Sequence, residues 1–176
     1  MVVFQTACGQ TDTARSGNKT PGNIEAKSSD YPGLKIQAEE MNKAMLGGDY
    51  EKAAGYFYPK LVVQAGGKEK IAAALKDQFA QMKTENFEII SVEVGDPKQV
   101  VKIDNEIFAV LPVLSTMKTS DKKATGESSL VGISSDEGKN WTFIDGVNQE
   151  RFKQMFPKAA EKIQIPVGQL PKTIEN

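Results

Sequence analysis

Apolar residues recur three and four positions apart through the first half of the chain. They fall at every second position through much of the second half, so the pattern predicts helices first and strands after them. Leu34, Ala38, Met41 and Met45 mark a helix over 34–46, with Glu39, Glu40 and Lys43 off the stripe and Gly47-Gly48 as its stop. Asp49 caps a second, short helix in which Tyr50, Ala53, Ala54, Phe57 and Tyr58 form one face, and Pro59 is expected to end it. Residues 60–64 read as a short strand or an extended connector. Gly66-Gly67 then leads into a third helix over 68–84, whose expected buried stripe is Ile71, Leu75, Phe79 and Met82.

From Phe87 the period is two. Ile90, Val92 and Val94 alternate with Ser91 and Glu93, the signature of a half-buried strand. Val100-Val101 adds a short strand after the Asp96-Pro97 turn, and Asp104-Asn105 turns the chain again. Residues 107–117 form a long strand that is apolar on both faces, and Pro112 within it implies a bulge or an edge position. Strands over 125–134 and 140–145 complete a meander, joined by Asp136-Glu137-Gly138. A short helix bearing Phe152, Met155 and Phe156 ends at Pro157, 158–164 allow one more helical turn, and the apolar residues of 165–171 suggest a tail docked on the body. Helices segregated ahead of a strand meander predict an α+β fold: a curved antiparallel sheet with the N-terminal helices packed on one face.

Composition changes this picture mainly by exclusion. The chain has 176 residues, enough for one domain of 34–176 behind a flexible leader of 1–33. Its 22 Lys and Arg nearly balance 23 Asp and Glu, without the clustered positive charge that nucleic-acid binding needs. Histidine is absent, which removes Ser-His-Asp and Cys-His nucleophile systems and the commonest metal ligand. A single cysteine, Cys8, allows no internal disulfide and no thiolate zinc site. No apolar run approaches the roughly 20 residues of a membrane-spanning helix. No cofactor is expected.

Cys8 follows Ala7 and the apolar Val2-Val3-Phe4, which resembles the end of a bacterial lipoprotein signal peptide. That resemblance implies that Cys8 carries a lipid, that the only membrane contact is through this anchor, and that the protein sits in the cell envelope, periplasmic or held at the outer membrane. Residues 9–30 are too polar to offset their ordering entropy, as a tether requires. The alternative is an incidental cysteine on a frayed terminus and a cytoplasmic protein.

Three stretches carry a second resemblance. They are Met41-Asn42-Lys43-Ala44-Met45-Leu46-Gly47-Gly48-Asp49-Tyr50-Glu51-Lys52-Ala53-Ala54, the Gly66-Gly67-Lys68-Glu69-Lys70-Ile71 lead-in, and the late Trp141-Thr142-Phe143-Ile144-Asp145. With the element order, they resemble the NTF2-like, SnoaL-like cone-fold family over residues 34–156. The resemblance implies a pocket between curved sheet and helices. Some family members use it for isomerisation, dehydration or hydrolysis, and many only bind.

Candidate chemistry is sparse. The segment 134–141, Ser-Ser-Asp-Glu-Gly-Lys-Asn-Trp, matches S-x-D-x-G-x-x-W and looks like the Asp-box of sialidase-type propeller blades. One copy without a repeat excludes a propeller, so the segment reads as a shaped β-hairpin. Tyr50, Tyr58 and Trp141 are the candidate ligand-pocket residues; Tyr58, next to Pro59, is the first choice. Asp104, Glu106, Glu127 and Asp145 are the carboxylates placed to act as a general base beside a tyrosine, and Arg151 is the candidate for an anionic ligand. Nothing in the sequence assigns any of them a catalytic role. Three functions stay open: a non-enzymatic domain binding an unknown small molecule, a carboxylate- and tyrosine-dependent isomerase, dehydratase or hydrolase, and a self-association module pairing as a homodimer through 107–117.

Overall fold

The computed structural model of the chain describes residues 30–120 and 122–174, the last six of these, 169–174, by their backbone alone. Cys8, the leader through residue 29 and Asp121 lie outside the described residues. The elements run α1 (Pro32–Leu46), α2 (Tyr50–Ala54), α3 (Pro59–Gln64), α4 (Lys68–Thr84), β1 (Glu88–Val94), β2 (Gln99–Ile103), β3 (Glu106–Lys118), β4 (Lys123–Ser134), β5 (Thr142–Asp145), α5 (Gln149–Met155), α6 (Pro157–Ala160) and β6 (Gln169–Ile174). Among the described residues no helix is long and apolar enough to cross a membrane.

All six strands join one strongly curved antiparallel sheet, so the fold is α+β as the pattern predicts. The long strands β3 and β4 form its spine, paired from Ile107↔Ser134 to Lys118↔Lys123. Each outer edge of this spine is shared by two short strands. β1 pairs with the far half of β3 and β2 with its near half. On the other side, β5 pairs with 130–133 of β4 and β6 with 123–127.

The apolar character of both faces of β3 has a direct cause, because each face meets its own core. Ile107, Ala109, Leu111 and Val113 pack with Leu34, Ala38 and Met41 of α1 and with Leu130, Trp141 and Phe143. Phe108 and Val110 point the other way and pack with Val131, Ile133, Phe152, Phe156, Ala159, Ile163 and Ile165, where α5, α6 and the following segment cover the sheet. The N-terminal helix therefore lies on one face and the C-terminal helices on the opposite one.

Four local expectations are corrected. The second helix stops at Ala54, because 56–58 leave it to run beside β5. There Phe143 N–H donates to the Tyr56 carbonyl at 2.7 Å, and Tyr58 N–H donates to that of Phe143 at 3.0 Å. Pro59 does not end a helix but opens α3, so 60–64 are helical. Proline suits a first helical turn, and Tyr58 before it is extended at φ −57°, ψ 128°. The α4 stripe is only half buried, since this helix meets α2, α3 and the start of β1 rather than the sheet face; Ala72 is its one buried residue. Ile90 falls on a register shift between Ile89 and Ser91 and is turned out to solvent, 41% exposed.

Pro112 lies in the central strand rather than on an edge. Its carbonyl accepts the Gly95 N–H at 2.8 Å. In an antiparallel strand the amide and carbonyl of one residue point the same way. The missing N–H of Pro112 therefore faces the gap where β1 has ended and β2 has not begun, and its pairing with Ser129 of β4 costs no ladder bond. Gly95 is required there, because a Cβ on it would lie 2.7 Å from Pro112 Cγ.

Candidate functional site

The cone-fold resemblance leads one to expect a hollow between α1 and the sheet. That layer is filled. Leu34, Met41, Leu111, Leu130, Trp141 and Phe143 are all 2% exposed or less, and Gly132 of β4 leaves room for no side chain beneath Leu34. Trp141, expected at a pocket, is instead part of this packing, with Tyr31 edge-on at 5.7 Å.

The Asp-box segment explains how Trp141 is held. The Ser134 hydroxyl donates to Asp136 Oδ1 at 2.8 Å and accepts the Gly138 N–H at 2.9 Å. The Asp136 carboxylate accepts both the Asn140 N–H and its side-chain amide, at 2.9 and 2.7 Å, and these bonds hold its pKa down at about 2. The Trp141 indole N–H donates back to the Gly138 carbonyl at 2.9 Å. Gln37 of α1 closes the unit: its Oε1 accepts the Trp141 N–H and its amide donates to the Lys139 carbonyl. The motif is thus a hairpin that fastens α1 to the sheet.

The other predicted site residues are dispersed. Tyr50 lies between α2 and α4, its ring 5.6 Å from that of Phe79, and borders a cleft of about 460 Å³ flanked by Glu51, Glu69 and Lys76. Tyr58 is buried against Phe156, with ring centroids 5.2 Å apart, and reaches a groove of about 300 Å³ lined by Lys60, Glu106, Ser135, Asp136, Asn140 and Thr142. This is the one place where a predicted tyrosine and a predicted carboxylate meet. Burial pushes the Tyr58 hydroxyl above its usual pKa, and the charge of Glu106 adds to that while Lys60 opposes it. At neutral pH the hydroxyl is therefore a hydrogen-bond donor. Asp104 is spent on an exposed ion pair with Lys158 at 2.8 Å. Asp145 ends β5 at the surface and accepts the Gly146 N–H. The protein crowding its carboxyl raises its pKa, an effect that its solvent exposure weakens. Arg151 is an exposed residue of α5. The Tyr56 hydroxyl donates to Glu40 Oε2 at 2.6 Å, but this pair ties α1 to the 55–58 connection and borders none of the grooves described here.

The best-formed apolar cavity lies on the sheet face opposite α1, where α5 and α6 stop short. It is a trough of about 430 Å³. Val110, Pro112 and Leu114 of β3 and Ser129 of β4 form its floor, in register at Val110↔Val131 and Pro112↔Ser129. Gly95 and Lys98, from the break between β1 and β2, make one wall. Pro166, Val167 and Gly168, which cross from the C-terminal core to β6, make the other. Gly168 sits tightly against the β4 backbone, a Cβ there falling 2.9 Å from the Glu127 carbonyl. Val167 at this lip is 94% exposed, and Leu114 at the open end is 36% exposed. Of the residues proposed from sequence, only Glu127 belongs to this trough. Pro112, flanked by the Asp96-Pro97 and Pro166 breaks, was the signal that could have pointed to it.

No protein-family model matches this chain, and no curated protein is recognisably similar to it.

Proposed function

We propose that this chain is a non-enzymatic small-ligand-binding domain of the bacterial cell envelope, carried on a tether lipidated at Cys8, and that it binds in the trough over the Pro112–Ser129 pair. One observation carries the reading: an apolar floor left open where the C-terminal cover of this sheet face ends, beside a lip bearing exposed Val167. Its volume falls within the range of small-molecule sites, and its lining is mostly apolar with a few polar groups, as such sites are. The absence of histidine and the dispersal of the candidate bases support binding over catalysis. Element order supports kinship with NTF2-like proteins. The Ala7-Cys8 pair and the polar 9–30 stretch support the anchor.

Binding is tested with the uncharged fluorescent apolar probe Nile red on the folded protein. Enhancement by the wild type should be lost in Ser129→Trp, which fills the floor. Absent enhancement, or enhancement unchanged in that variant, overturns the reading. The anchor is tested by palmitate labelling with the native upstream sequence; equal labelling of Cys8→Ser refutes it.

A second reading rests on the shared groove of Tyr58 and Glu106, which would serve an isomerase, dehydratase or hydrolase of the SnoaL-like kind. In that reading the phenol donates to a carbonyl while Glu106 removes an adjacent proton. A Glu106→Gln variant that retains any turnover found for the wild type would dispose of it.

A further inference from the structure

The trough carries a charge pattern that its apolar floor does not require. Glu93 of β1, Leu114 of β3 and Glu127 of β4 are in register across three adjacent strands. Their side chains share the face opposite α1, because Leu114 has the same parity along β3 as Val110 and Phe108 of the C-terminal core. Two carboxylates therefore flank the exposed leucine at the open end, with backbones about 10 Å apart, two strand spacings. Among residues 30–120 and 122–168 neither carboxylate takes an ion pair or a side-chain hydrogen bond from a neighbour, and Gln169 of β6 is the register partner of Glu127 on its other side. Lys98 also lines the trough: its backbone N–H donates to the Val110 carbonyl at 2.8 Å, and it forms no ion pair with either carboxylate. At the end away from Leu114, Val110 joins Ile163 and Ile165 in the C-terminal core, so the floor there is closed and apolar.

We propose that the trough binds an amphipathic cation: an aliphatic tail lying along Leu114, Pro112 and Val110, and an ammonium head held between Glu93 and Glu127. The proposal rests on the trough being the ligand site. An anionic amphiphile entering tail-first would place its carboxylate between two like charges, whereas an ammonium there neutralises both. The tail supplies most of the affinity through burial and the head supplies selectivity. The carboxylates are exposed, so the selectivity is modest and falls with salt.

Octylammonium, 1-octanol and octanoate, three ligands with one tail, separate the two claims. Binding to the full chain is followed by calorimetry at low ionic strength. Octylammonium should bind about three- to tenfold more tightly than octanol, and octanoate more weakly than either, as expected for two solvent-screened charge pairs. In the double variant Glu93→Gln/Glu127→Gln the ammonium preference should fall to less than about twofold, with octanol affinity unchanged. Octanoate binding as tightly as octylammonium, or a preference that survives the double variant, refutes the cationic class while leaving the trough intact. Failure of all three to bind refutes the trough itself.

Discussion

A single methyl group at Gly132 tests whether the layer between α1 and the sheet is as full as the structure makes it. An ideal Cβ there meets Leu34 Cδ1 at 2.8 Å, Trp141 Cε3 at 3.2 Å and Phe143 Cε1 at 3.3 Å, all on side chains at most 2% exposed. Leu34 lies in the first turn of α1, so relief requires moving the helix or forcing a rotamer. Overpacking of this kind costs about 1–3 kcal/mol. Gly132 has no positive φ, so alanine also restricts the unfolded chain, which returns about 0.4–1 kcal/mol. Taking the middle of each range, the net expectation is a loss of about 1.3 kcal/mol, a visible part of the roughly 5–15 kcal/mol typical of a domain. Urea denaturation should show a lower midpoint with an unchanged slope. Leu34→Ala alone should cost about 2–5 kcal/mol. In that background Gly132→Ala should cost less than about 1 kcal/mol, because the closest clash is gone, so the two changes are non-additive. A Gly132→Ala variant as stable as the wild type, or one equally costly in both backgrounds, would show that this layer has room.

Three further outcomes follow from particular contacts. Asp136 has a folded-state pKa of about 2, below its unfolded value, so its contribution is fully present above about pH 4 and is lost as pH falls toward 2. Asp136→Asn should flatten the stability-against-pH curve within that window alone, and an unaltered curve would remove the carboxylate from the hairpin's support. The Tyr56 hydroxyl, bonded to Glu40, is pushed up to about 12. Ultraviolet titration should find, beside the raised Tyr58, a tyrosine still un-ionised at pH 11 whose late step disappears in Tyr56→Phe; complete ionisation of the wild type by pH 11 counts against the bond. Asn42 of α1 is buried with its Nδ2 unbonded among the described residues, so Asn42→Leu, of similar volume, should raise stability by about 1–3 kcal/mol in urea. A loss of that size would mean that the amide has a partner.

Much of the fold was written in local pattern. α1 and its glycine stop, the Asp49 cap and the strand turns follow from spacing and turn chemistry, and so does the Ser134–Trp141 hairpin. What pattern missed depended on distant partners. The Tyr50 helix stops early because 56–58 find the edge of β5, nearly ninety positions away, and no local residue announces that pairing. Pro112 looked like an edge residue because the sequence does not show that β1 and β2 divide one side of β3 between them. The trough was the least legible feature. Its walls come from the 93–98, 110–114, 127–129 and 166–168 segments, and its residue types are those of any strand and loop. Trp141 and the tyrosines drew attention as aromatics, yet the fold spends Trp141 on the core and sends Tyr50 and Tyr58 to separate grooves.

The central claim is that binding takes place on the sheet face turned away from α1. Amide chemical-shift mapping during a titration with 1-octanol tests it most directly. The account predicts that shifts concentrate at Gly95, Val110, Leu114, Ser129 and Gly168 and saturate together. Shifts centred on Leu34, Met41 and Phe143, or no saturable shifts, would contradict it.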